Sequence, residues 1–325
     1  MKGWKLTIGI VLCAVVVGAC IRMPLYDREK KLELVLDMNL DLHVDIPDTI
    51  AVNIPRTIPR PEVMECCFYD PATNKISFSD FVGSTGGTIE AVTGSFKMLV
   101  YALGTEFIKI QNERDLMTIE AFTSDISSTK KADLAKFYAP PTKAEPEAPI
   151  IWAPDHLMMV LMDVDIPDYA GEDQTITIHA TANTIVQTFI FEVRTVTGIE
   201  NIDRVEAFVT NQARSCFFGR GEINTDPVTI YFPVEIDRKH GCLYTTFNTF
   251  GKLPGESKSY LHILLHNFQG EELLVTVDIT GQFENPDKHI VIEEPIDVPL
   301  PESRSDGIVP MVDPWDEQKI DVGIG

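Results

Sequence analysis

Basic residues are scarce in this chain. Lys and Arg number 27 against 49 Asp and Glu, a formal net charge of −22 over 325 residues. Nucleic-acid binding draws its affinity largely from Lys and Arg on phosphates, so this balance argues against a nucleic-acid partner. Electrostatic docking on anionic lipid is excluded on the same ground. Cysteine is sparse as well, six in all, and two of these, Cys13 and Cys20, lie near the start. Cys66 and Cys67 fall in the strand-like Met64-Glu65-Cys66-Cys67-Phe68-Tyr69. Neighbours on a strand point to opposite faces and bridge each other poorly, so these two read as buried free thiols. A Cys216–Cys242 bridge is left open. Tryptophan is rarer still, and Trp152, in Ile150-Ile151-Trp152-Ala153-Pro154, reads as packed rather than displayed.

Signatures of catalysis are missing too. There is no Gly-x-Ser-x-Gly elbow, and Gly83-Ser84-Thr85-Gly86-Gly87 has a phosphate loop's glycines without its lysine or following helix. His262 and His266 have the i, i+4 spacing of a helical zinc pair, but they stand in the strand-like Leu261–His266. On a strand they would sit about 13 Å apart, too far to share an ion. Asp37-Met38-Asn39-Leu40-Asp41 imitates the start of a calcium loop, yet Leu42 stands where the sharp turn needs glycine. Carboxylates are plentiful, but nothing selects one pair for acid–base work. The sequence makes no positive case for an enzyme, a metal or a dissociable cofactor.

What is present begins at the N-terminus. Lys2 and Lys5 precede the apolar run Leu6–Ala19, which closes on Val17-Gly18-Ala19-Cys20. Charged, apolar and then small residues make an export signal, and the run is shorter than the roughly 20 residues a membrane-spanning helix needs. Small residues before a cysteine match a bacterial lipobox, with cleavage between Ala19 and Cys20 and acyl chains such as palmitate on the Cys20 sulfur. Each buried methylene adds about 0.8 kcal/mol, so several chains on one residue anchor a soluble domain firmly. The expectation is a signal peptide at 1–19 and a mature lipoprotein, with the outer membrane as the default site of its lipid.

The remainder reads as β-structure. Apolar residues alternate from Leu32 to Ile46, the pattern of a strand with one face on a core. Pro47 ends it, and Ile54-Pro55-Arg56-Thr57-Ile58-Pro59-Arg60-Pro61 reads as an extended, exposed loop because proline donates no ladder hydrogen bond. Further strands are expected at 66–69, 76–78, 95–103 and 106–110, with a weak helix at 124–138 and a Pro-rich linker at 140–149. Beyond the linker come strands at 175–182, 185–196, 205–210, 227–236, 243–250, 259–268 and 272–282. Short strands at turn-spaced intervals suggest β-sandwiches. The division expected is 20–149, 150–285 and a strand-forming extension at 286–325, whose alternating pieces Ile290–Leu300 and Ile320–Ile324 could cover an edge of their own domain or add to a neighbour's sheet.

Several short motifs recur together. They are Val17-Gly18-Ala19-Cys20 with Ile21-Arg22-Met23-Pro24-Leu25-Tyr26-Asp27, the long alternating strand, Phe68-Tyr69-Asp70-Pro71, Asp80-Phe81-Val82-Gly83 and Gly94–Tyr101. Ala153-Pro154-Asp155-His156-Leu157, Pro299-Leu300-Pro301 and Val312-Asp313-Pro314-Trp315-Asp316 follow. Together they resemble the lipoproteins of Bacteroidetes-type bacteria that group with fimbrillins. The resemblance spans nearly the whole chain, and none of its motifs is catalytic.

It implies an all-β chain of two transthyretin-like β-sandwich domains in tandem with a C-terminal strand extension. It also implies a role as a fimbrial (pilus) subunit or anchor. In that family an Arg-directed protease removes the first strand of polymerising subunits, and a neighbour's C-terminal strand fills the groove; anchor subunits keep their lipid. Here a cut after Arg56 or Arg60 would release Leu32–Ile46, and either C-terminal piece could be the filler. The expected function is thus a non-enzymatic, lipid-anchored fimbrial anchor or accessory subunit, whose partners are outer-membrane lipid and other fimbrial subunits. The alternative is a surface lipoprotein that binds glycan or host protein and never polymerises.

Overall fold

A computed structural model describes residues 32–44, 46, 54–134, 148–168, 175–255, 258–298 and 318–319. Ala19 and Cys20, most of the Pro-rich stretch and Ile320–Ile324 lie outside the described residues. In chain order the strands are β1 (Glu33–Leu40), β2 (Val63–Tyr69), β3 (Ile76–Gly83), β4 (Gly86–Glu90), β5 (Gly94–Ala102), β6 (Ile108–Gln111) and β7 (Glu120–Thr123). The one α-helix among the described residues, α1 (Ser128–Leu134), precedes β8 (Ile150–Trp152), β9 (Met158–Ile166) and β10 (Thr175–Thr184). There follow β11 (Gln187–Val193), β12 (Val196–Thr197), β13 (Ile202–Ala213), β14 (Ser215–Phe217), β15 (Glu222–Ile223), β16 (Pro227–Asp237) and β17 (Cys242–Thr249). The last are β18 (Tyr260–Asn267), β19 (Glu272–Asp278), β20 (His289–Ile292), β21 (Ile296–Asp297) and β22 (Gln318–Lys319).

The first sheet runs β1-β10-β9-β5-β2-β3-β4 and closes on itself. Its ladders are unequal. β5 pairs with β9 over eight residues and β1 with β10 over eight, whereas β3 meets β4 at one pair and β9 meets β10 at two. The ring is therefore a sandwich of two layers, β9-β5-β2-β3 and β10-β1-β4, joined along two thin seams. Strand alternation builds its core: Leu34, Leu36, Met38 and Leu40 of β1 point in, against Phe68, Met98 and Ile89 among others.

The second sheet, β20-β11-β17-β16-β13-β18-β19-β22, folds over where β16 and β17 share three pairs. The other half of that β16 edge is filled by β8, in parallel. Between the layers Phe189, Phe247 and Phe232 stack at 5.6 and 4.5 Å between ring centroids. The outer face of this sheet is covered by Ile126 and Leu134, on and beside α1, which pack on Phe208, Tyr231 and Leu264. Ser127 Oγ accepts from Lys130 N at 3.2 Å at the start of this helix, the capping arrangement that satisfies a first-turn N–H.

A third, small sheet, β15-β14-β7-β6, joins the two bodies. Buried Glu120 on β7 accepts from the Ser215 hydroxyl of β14 and, at 2.6 Å, from Gln111 Nε2 of β6. Beside it Gly219 is required: a Cβ there would lie 1.9 Å from the Leu116 carbonyl oxygen.

The boundary expected at 149/150 does not follow the sheets. β9 and β10 belong to the first sandwich, while the segment carrying α1 and β8 packs on the second. The chain thus crosses between bodies more than once, because strand pairing is non-local and a Pro-rich stretch marks a crossing as readily as a domain end. Residues 286–298 are likewise part of the second sandwich, with β20 parallel to β11 and β21 parallel to β12.

Candidate subunit-docking site

β1 is the strand that a cut at Arg56 or Arg60 would release. β1 lies in the middle of its layer, parallel to β10 from Glu33/Thr175 to Leu40/Ala182 and antiparallel to β4. Its four inward side chains are buried, and each such burial contributes about 1.5–3 kcal/mol. On the outer face Asp37 Oδ2 sits 2.8 Å from His179 Nδ1. Gly86 lets β4 come this close: it has φ +101°, and a Cβ there would stand 1.9 Å from the Leu36 carbonyl oxygen.

The segment after β1 is not the free loop its prolines suggested. Arg56 O accepts from Val44 N at 3.0 Å, Leu42 O accepts from Ile58 N at 2.8 Å, and Ile54 and Ile58 are buried. The paired positions are those that need no proline N–H, so Pro55 and Pro59 are tolerated on this ribbon. Arg56 also donates from Nη1 to Ile46 O at 2.7 Å, which ties the expected scissile residue to the end of the strand it would release. Arg60 is exposed between Pro59 and Pro61. Cleavage at Arg56 would first require this ribbon to detach.

Of the two filler segments, Ile290–Leu300 is already used by its own chain. Ile290, Ile292, Ile296 and Val298 are buried in the second core, so this piece is no free donor. Ile320–Ile324 lies outside the described residues, and the adjacent β22 pairs in parallel with β19 at Val275 and Thr276.

The cysteines and histidines noted in the sequence sit within the fold. Cys66, Cys67, Cys216 and Cys242 are all free and buried, so the Cys216–Cys242 bridge is not formed. Burial pushes the Cys67 thiol up to about 12 and Cys216 to about 11, which keeps both protonated and unreactive. His262 Nδ1 meets Thr276 Oγ1 at 2.9 Å, and burial lowers its pKa to about 4. His266 turns instead to Glu206 and Glu272, with Nε2 3.4 Å and Nδ1 3.1 Å from their carboxylates.

Glu206 is the best-partnered acid in the second sandwich. Lys130 Nζ from α1 donates to it, as does Tyr231 OH at 2.9 Å. Burial alone would raise its pKa, but the polar contacts with His266, Lys130 and Tyr231 prevail and hold it at about 2. This network pins α1 to the sheet. No group of three or more His, Cys, Asp or Glu arranged for a metal occurs among the described residues. No helix among them is long and apolar enough to cross a membrane.

Known proteins place this architecture. A fimbrium anchoring subunit of Bacteroides ovatus, Fim4B, so named without proof of function, is 22% identical over 188 residues, 58% of this chain and 52% of that protein. The chain thus spans about half the length of the curated relative it matches. A crystal structure described as an adhesin, also from Bacteroides ovatus, superposes with a TM-score of 0.56 at 18% identity, covering 87% of this chain and 98% of that one; it shares the fold. The fimbrial anchor protein Mfa2 of Porphyromonas gingivalis aligns at a TM-score of 0.43 and 13% identity over 77% of this chain and 83% of its own, too distant to carry weight. Residues 41–233 match the family described as Domain of unknown function (DUF5119), and the chain belongs to that family.

Proposed function

We propose that this protein is a non-enzymatic fimbrial anchor or accessory subunit, held at the outer membrane by lipid on Cys20. The observation that carries the reading is the seat of β1. A polymerising subunit must surrender its first strand by a cut, and here the ribbon that carries Arg56 is hydrogen-bonded back to the end of that strand, which disfavours the cut. Retention of β1 keeps Cys20 and its lipid on the protein. The name carried by the Bacteroides ovatus relative supports the same role.

Topology adds a direction. β1 starts opposite Thr175, at the far end of β10 from Thr184, and β11 of the second sandwich follows Thr184 almost at once. A lipid tether at Cys20 would therefore attach at the pole of the first sandwich away from the second. Eleven residues lie between Cys20 and Leu32, a reach of about 40 Å when extended. The second sandwich would stand away from the membrane.

The test is Cys20→Ala in the native cell, with this protein and fimbriae assayed in membranes and in medium. Release of both into the medium is expected. Retention of the variant in membranes would overturn the lipid anchor, and loss of the protein alone, with fimbriae still attached, would overturn the anchoring role.

A further inference from the structure

Among the described residues, most of one edge of the first sandwich has no partner strand. β9 pairs along β5 from Met159 to Ile166, without a register shift. On its other side, among the described residues, it meets β10 only at Met158 and Met159. Past Met159 the two strands part, so along Val160–Ile166 no described strand lies opposite this side of the β9 backbone. The core shows through the same opening. Val160, Met162 and Ile176 pack on the first core yet stay only partly buried, and Leu161 is 38% exposed. Natural edges are blunted by bulges, prolines or charge. This one has neither bulge nor proline, and its charge is confined to the exposed Asp163 and Asp165.

We propose that the β9 edge is an acceptor for an extended strand of a different protein, one that alternates apolar residues with Lys or Arg. Two copies of this chain meeting edge to edge would oppose Asp163 and Asp165 to the same acids of the other copy. Side chains directly opposite lie about 5 Å apart, and like charges there are destabilising, so self-pairing is selected against. A basic strand meets the opposite situation. Its Lys or Arg faces Asp163 and Asp165, and its apolar residues close over Val160 and Met162. Asp163 already has Lys97 across from it on β5, whereas Asp165 faces Ser95, so Asp165 is the stronger selector. Backbone hydrogen bonds supply the strength of such a union and the alternation fixes its register. This inference goes beyond the fimbrial reading: it follows from pairing, exposure and charge, and its first test is read on purified protein.

That test is hydrogen exchange of the full chain with a nine-residue peptide of alternating valine and lysine, and with its valine–glutamate counterpart. The lysine peptide should slow exchange across Val160–Ile166 by about tenfold or more, and the glutamate peptide should not. The double variant Asp163→Asn, Asp165→Lys alters only exposed side chains and sets no lysine opposite Lys97, so it should keep its melting curve and lose at least about tenfold in affinity. Absence of protection at Val160–Ile166, protection centred on another strand, or undiminished binding by a folded double variant would each overturn the proposal. On cells, a double variant that still carries normal fimbriae would separate this edge from the anchoring role and leave the peptide result standing.

Discussion

In the first sandwich the N-terminal strand lies in the middle of a layer, whereas in the second the C-terminal strands β20 and β21 lie along the rim. Loss of β1 would part β10 from β4 and open a core. Loss of β20 would trim one edge. The first body also carries the two thin seams and the open β9 edge, while the second is wrapped by α1 and β8 and closed by a buried ionic network. The lesson is one of division of labour. The thin seams and the sparsely paired β9 edge are concentrated in the first sandwich, and the second is held by the packing of α1 and β8 and by the Glu206 network.

The comparison can be broken most forcefully at β1. Leu36→Ala should cost about 2–5 kcal/mol, as buried leucine truncations do, and native-state hydrogen exchange should rise through the first sandwich more than the second. Equal loosening of both bodies would show that the sandwiches unfold as one unit. Gly86→Val attacks the same seat from β4. With φ +101° and a Cβ 1.9 Å from backbone, it should lower stability by about 2 kcal/mol or more, measured by denaturant titration.

Acid should separate the two bodies in the other direction. His262 must stay neutral in the fold, with a pKa near 4 against 6.5 for an ordinary histidine. Its penalty is absent at neutral pH and grows as pH falls from 6.5 to 4, reaching about 3 kcal/mol at most. Glu206, with its pKa lowered from 4.5 to about 2, gives stability present above pH 4.5 and lost as pH falls toward 2. The strongly shifted groups in the first core, Cys66, Cys67, Tyr69 and Tyr101, are pushed upward and stay uncharged through this range. Acid titration followed by residue-resolved exchange should therefore loosen the second sandwich first, and His262→Gln should flatten the loss between pH 6.5 and 4.

Lys130→Ala sharpens the same point, since it leaves Glu206 buried with fewer partners. The Lys130 side chain is 26% exposed, so water moderates the loss, and about 1–3 kcal/mol is expected in thermal denaturation. The smallest effect belongs to Phe268→Ser. Phe268 is 62% exposed on the turn between β18 and β19, and the change should stay within about 0.5 kcal/mol.

Much of this was legible in the residues. β1 and the strands from Thr175 to Asp278 announce themselves by alternation, and the adjacent cysteines are buried thiols as their neighbours implied. β9 is not legible in the sequence because Met158–Met162 is apolar on both faces, and its alternation emerges only at Asp163 and Asp165. The ribbon at 54–58 was hidden by its prolines, which sit where no N–H is needed. The crossing of the chain between sandwiches was not legible at all. Parallel pairings such as β1 with β10 and β8 with β16 join residues far apart in sequence, and no local pattern marks them. The Glu206 network escaped for a related reason: its members come from α1, β13, β16 and β18.

The most direct test of the account is the N-terminus and intact mass of the protein taken from the native cell surface. Retention of β1 predicts a chain that begins at acylated Cys20. A lipid-free chain that begins at Thr57 or Pro61 would contradict it, because β1 would then have been cut away and the subunit would be one that polymerises.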